Sequence, residues 1–193
     1  MGRVAVAFIV MLAWLSSETA ARRVTKATAA ASSGRIIPAS TLARQQAALS
    51  LIHFPWQQLQ YEIVFMAPRQ GFRAMTVPGR HRIEIYARAE DDSRLIAYDI
   101  AHELGHVIDL TYNTGETRKK WMQLRGIDPA TAWFGCDRCS DYNTPSGDFA
   151  EIFALLLLGP QYFRGRIAGP PSFPEIPALA AFFPRGFLPV PFD

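Results

Sequence analysis

The sequence predicts an α+β domain, and three observations carry that expectation. The segment HRIEIYAR (81–88) alternates apolar and polar residues with the period of a strand, Ile83, Ile85 and Ala87 falling on one face. SRLIAYDIAHELGHVIDLTY, after Asp92, holds no proline and sets Ile96, Ile100, Leu104 and Val107 on one helical stripe. A second apolar helix, DFAEIFALLLL, runs up to the stop signal Gly159-Pro160.

The elements follow in order. Arg3 precedes twelve unbroken apolar residues, Val4 to Leu15, and Thr19-Ala20-Ala21 supplies the small residues of a cleavage site. Residues 1–21 therefore read as an export signal and the chain as secreted or extracytoplasmic. The apolar run is short for a membrane span, so a membrane role for the mature chain is expected only if the signal stays uncleaved. Residues 22–39, rich in Ala, Ser and Thr, read as a flexible linker, and residues 40–193 as the folded domain. Ser40 is placed to cap a short helix that ends before Pro55. Leu59 to Met66 is aromatic and β-branched and reads as a strand, and Pro68, Gly71, Pro78 and Gly79 mark turns after it.

The long helix is capped by Asp92 or Ser93. A turn at 113–115, a helix from Thr117 closed by Gly126, and a loop over 127–146 follow. The tail from Gly159 contains eight of the chain's 14 prolines and should pack as extended segments and turns.

Composition narrows function by exclusion. Hydrophobic residues make up 49% and charged residues 19% of the 193, enough apolar matter for one globular core and too little charge for a disordered chain. A net charge of +3 gives no broad basic face, so nucleic acid is not an expected partner. The two cysteines, Cys136 and Cys139, lack the second pair that a zinc ribbon needs and read as a disulfide staple in a loop.

The chemistry is concentrated in HELGH. His102 and His106 stand four residues apart, hence on one helix face, and can aim two imidazole nitrogens at one ion. Glu103 beside them is placed to accept a proton from metal-bound water. One zinc ion suits the site, being a Lewis acid without redox chemistry that lowers the pKa of its water to about 7. Gly105 leaves room between the histidines, and Asp109 either orients a histidine or is an ordinary helix carboxylate. The third ligand must come from elsewhere. Asp148 and Glu151, three apart in the second apolar helix, can both face the site; the competing reading is a capping box with no metal role. Thr144-Pro145, itself a good helix start, argues for the metal.

HELGHVID, followed about forty residues later by DYNTPSGDFAEIFA, resembles the zincin metallopeptidases. Within them it is most similar to gluzincin-like secreted bacterial peptidases, and more distantly to the catalytic domain of anthrax lethal factor and the Pro-Pro endopeptidases. The likeness covers about residues 59–160. It implies a small sheet whose edge strand, 81–88, packs on the HELGH helix and pairs with an extended substrate, and a second helix that brings the third ligand. It also implies that Tyr142 donates a hydrogen bond to the oxyanion, against the plain alternative of a packed loop aromatic. Where lethal factor-type enzymes carry their ligand glutamate this chain has Gly147, so the third ligand is shifted or absent. Glu151 is favoured over Asp148 for its reach, with Asp148 beside it orienting a histidine or the water.

The expected function is a zinc-dependent endopeptidase, monomeric, acting on peptide or protein. The alternatives are a catalytically weak or inactive zincin-fold binding or inhibitory module, and a hydrolase of cell-wall peptides.

Overall fold

The computed structural model describes residues 39–136 and 140–188. The expected signal segment, residues 22–38 of the expected linker, and Cys139 lie outside them. The architecture is α+β, with five helices and a three-stranded sheet among the described residues.

Helix α1 (Ala39–Ser50) starts two residues earlier than a Ser40 cap would set it and takes Ser40 into its first turn. Leu59 falls in a 3-10 turn, Trp56–Leu59, and the strand β1 is confined to Glu62–Phe65 because Gln60 adopts a left-handed conformation (φ 58°) just before it. The region expected to hold only turns contains a strand, β2 (Ala74–Val77), which runs into a 3-10 turn at Pro78–Arg80 and returns as β3 (Arg82–Ile85).

The strand order is β1-β3-β2, with β1 parallel and β2 antiparallel to β3. This corrects the expectation that 81–88 is an edge strand: β3 is hydrogen-bonded on both sides and has no free edge for a substrate. Nor is it half exposed, since Glu84 and Tyr86 on its second face are buried as well as Ile83 and Ile85. The edge lying against the HELGH helix belongs to β2, whose Thr76 hydroxyl bonds to Glu103.

Helix α2 (Ser93–Tyr112) begins at Asp92, whose carboxylate accepts from the Leu95 main-chain N–H. Its stripe Ile96, Ile100, Leu104 and Val107 is buried between the sheet and helix α4 (Pro145–Leu158). The two helices cross most closely at Gly105, where a Cβ would stand 2.6 Å from Ala150 Cα. The missing side chain of Gly105 thus serves this crossing, and the space is filled by Ala150. Helix α3 (Gly115–Leu124) starts two residues earlier than expected, on a Thr114–Thr117 capping box. Helix α4 starts at Pro145 with Thr144 as its cap, as the Thr-Pro pair indicates, so the loop before it is shorter than 127–146.

An aromatic cluster of Trp121, Phe149, Phe153 and Phe183 ties α3 and α4 to the tail. The tail folds as turns at 160–162 and 173–175 and a short helix, α5 (Ile176–Ala180). No helix among the described residues is long and apolar enough to cross a membrane.

Candidate metal centre

Helical geometry brings the two histidines together as their spacing requires. The rings of His102 and His106 lie 4.9 Å apart on α2. Their Nε2 atoms converge on one carboxylate oxygen, Asp141 Oδ2, at 3.1 Å from His102 and 2.6 Å from His106. His102, His106 and Asp141 form a group that could hold a metal ion, each offering one ligand atom, all within 4.8 Å of one another.

Neither acid named from the sequence stands in that position. Asp148 is 1% exposed and points away from the histidines. Its oxygens accept from Arg125 Nε and Nη2, both at 2.9 Å, and from Trp121 Nε1 at 3.0 Å. It is the buried anion of a structural ion pair. Glu151 is closer, but behind His102: its Oε2 lies 3.4 Å from Nδ1, the nitrogen on the far side of the ring from Asp141. Tyr98 donates to the same oxygen at 2.6 Å, and the Arg164 main-chain N–H donates to Oε1 in a short bond. Asp109 is also engaged elsewhere, accepting from Arg118 at 3.0 Å and from Trp133 Nε1 at 2.9 Å.

Asp141 reaches the site because of Gly147. The 3-10 turn Asp141–Asn143 packs its first carbonyl directly on the Gly147 Cα, and a Cβ at 147 would overlap that oxygen. The missing side chain at 147 is therefore what admits the turn that carries the Asp141 carboxylate to the histidines. Cys136, in the loop leading to this turn, is disulfide-bonded.

Electrostatics agree with a cation-binding centre. Burial would strip His102 of its charge, but the hydrogen bond to Asp141 and the nearness of Glu151 outweigh it and push the imidazole up to about 10. Burial likewise works against the Asp141 carboxylate, and the bonds from both histidines overcome it, holding this group well below the usual carboxylate range. His102 Nδ1 is a buried atom with no hydrogen-bond partner. That orphan bears on what the site accepts. When Nε2 of a histidine ligates a metal, the ring proton resides on Nδ1 and calls for an acceptor. Glu151 is the acceptor in waiting for His102, and Ser146 Oγ, 3.2 Å from His106 Nδ1, is the one for His106. Two imidazoles, each backed in this way, and one carboxylate are a donor set that zinc takes with a coordination position left open.

Glu103 is 6% exposed and lies outside the group of three; its Oε2 accepts from the Thr76 hydroxyl at 2.7 Å. Tyr142 lies beside the centre, its ring 5.1 Å from that of His102 and its hydroxyl in a short hydrogen bond with Tyr98. Burial raises the pKa of both phenols, so both stay protonated. Thr76, Glu103, Tyr142 and both histidines line a cleft of about 710 Å3, with β2 and the residues before it on one wall and Phe134, Gly135 and Ser140–Tyr142 on the other. Asp141, Thr76, Tyr98 and Ser146 were not distinguishable from sequence. The one available signal was Gly147, whose bareness asks for a carboxylate from a neighbouring turn.

No protein-family model, characterised protein or solved structure matches the chain.

Proposed function

We propose that the chain is a zinc-dependent peptidase of the zincin type, acting outside the cytoplasm on an extended peptide or protein segment. The observation that carries this reading is the convergence of His102 Nε2, His106 Nε2 and Asp141 Oδ2 on the floor of an open cleft, with the unligated Glu103 carboxylate next to them. His102, His106 and Asp141 would hold a zinc ion, which would supply Lewis acidity and bring the pKa of a water there to about 7.

The chain's own residues supply the rest. Glu103 takes the proton of the attacking water and returns it to the leaving amine. The Thr76 hydroxyl, bonded to Oε2, fixes the carboxylate rotamer so that the second oxygen is available to the cleft. The phenol of Tyr142, protonated across the working pH range, is a donor for the oxyanion once it turns from Tyr98 toward the cleft.

The substrate lies along β2. Tyr86 N–H bonds to Arg73 O, and by the alternation of an antiparallel ladder the main-chain groups of Ala74 and Thr76 then face the free edge. An extended peptide adds to such an edge by main-chain hydrogen bonds. The contacts Arg73–Asp99 and Thr76–Glu103 make β2 and α2 run in the same direction, so the bound chain passes over Asp99, Glu103 and His106 toward Leu110 and Phe134.

The test is Glu103→Gln in the exported protein, whose intact mass is expected to match a chain beginning at Arg22. Hydrolysis of a peptide library should fall by at least about 100-fold, the lower end of the range for a general base, while zinc content stays at one per chain. Hydrolysis by Glu103→Gln at the wild-type rate overturns the assignment. A wild-type protein that holds zinc and cleaves nothing instead favours a binding module.

A further inference from the structure

One buried hydroxyl on α2 has no part in the mechanism above. Tyr98, one helical turn before His102, is 1% exposed. Its hydroxyl donates to Glu151 Oε2 at 2.6 Å and makes a short hydrogen bond with the Tyr142 hydroxyl. A phenol has one proton to give. With that proton committed to the Glu151 carboxylate, the second bond runs the other way, from Tyr142 O–H to Tyr98 oxygen. Glu151 is fully buried and its other oxygen is taken by the Arg164 main-chain N–H. Tyr98 therefore fixes the one carboxylate oxygen that stands 3.4 Å from His102 Nδ1.

We propose that Tyr98 is a positioning residue of the metal centre: its hydroxyl holds the Glu151 carboxylate behind His102. The inference rests on the zinc reading above. A carboxylate behind a ligand imidazole orients the ring and raises its basicity, and it does so only while its own oxygens are fixed. Arg164 restrains one oxygen and leaves rotation about that bond; Tyr98 removes this freedom. The competing role is that of a core ring, packed 6.0 Å from the His102 ring and beneath the Arg164 guanidinium. Tyr98→Phe keeps the ring and deletes the hydroxyl, which separates the two.

Zinc affinity by chelator competition, and the thermal midpoint with and without zinc, are to be compared in wild type, Tyr98→Phe, Glu151→Gln and the double variant. Tyr98→Phe should weaken zinc binding about 10–100-fold, the usual effect of losing a group behind the ligands, and shrink the zinc-induced rise in midpoint. Glu151→Gln should do the same, and the double variant should bind no worse than the weaker single one, since both remove the same support. Three results overturn the proposal: a lower metal-free midpoint in Tyr98→Phe at unaltered zinc affinity, losses that add in the double variant, or full affinity in Glu151→Gln, which counts even where Tyr98→Phe does not fold. Wild-type protein that takes up no zinc defeats the metal reading itself, a failure distinct from these three.

Discussion

His102 stands between two carboxylates, Asp141 on Nε2 and Glu151 behind Nδ1, and its titration follows from that place. In the metal-free protein the imidazole is raised from 6.5 to about 10. A histidine held protonated by the fold contributes stability that is complete below the unfolded value and lost as pH rises through the folded one. The metal-free thermal midpoint should therefore fall between pH 6.5 and about 10. Zinc, which displaces the same protons, should bind more tightly over that range. A metal-free midpoint that is flat from pH 7 to about 10 speaks against the charge cluster. Asp141, shifted downward, acts in the opposite sense: its contribution is present above its ordinary 3.8 and disappears on acidification below it. At the same scale, Gly147→Ala should push the Asp141 turn off its seat, because the added carbon occupies the space of a carbonyl. The expected outcome is a loss of at least about 10-fold in zinc affinity, on the scale of disturbing a ligand's support. Chelator competition at wild-type affinity in this variant would show that the turn does not depend on the glycine. The pairing of His102 with His106 was legible because one helix fixes both. Asp141 was not, because its approach depends on a glycine six residues later and on a turn that no periodicity announces.

Among the elements, α4 was expected to bring the third ligand and instead surrounds the group of His102, His106 and Asp141. Its Gly147 seats the Asp141 turn, its Ser146 faces His106 Nδ1, and its Glu151 stands behind His102. Asp148, on another side of the helix, binds Arg125, which also donates to Gly169 O and so joins α4, α3 and the tail. The distinction is measurable. Asp148→Asn leaves a buried guanidinium without its counter-charge, a change that typically costs about 3–5 kcal/mol. Denaturant unfolding should record a loss of that order while zinc affinity, per folded molecule, is unchanged. Loss of zinc with stability intact would return Asp148 to the ligand set. Helices α2 and α4 were readable from apolar stripes and from Asp92 and Thr144 caps. Strand β2 was not, because AMTV is four residues long between glycine- and proline-marked turns, and its pattern of partly buried residues carries no strong alternation. That β3 is central followed from β2 and could not be seen without it.

For the whole molecule, residues distant in the chain meet on one cleft: Thr76 from the sheet, His102, Glu103 and His106 from α2, and Asp141 and Tyr142 from the turn before α4. The α+β class and the motif at its centre were open to reading in the sequence, since each rests on local period and spacing. The approach of Asp141 to the two histidines was not, since it is a property of how α4 and the preceding turn pack. Whether Asp141 completes a metal centre with the two histidines is tested most directly by zinc titration of the purified chain beside Asp141→Ala. Wild type should take up one zinc per chain, and Asp141→Ala should lose affinity beyond the roughly 10–100-fold that follows from groups behind the ligands. Wild-type protein that binds no zinc, or Asp141→Ala that binds it as tightly as wild type, would contradict the account.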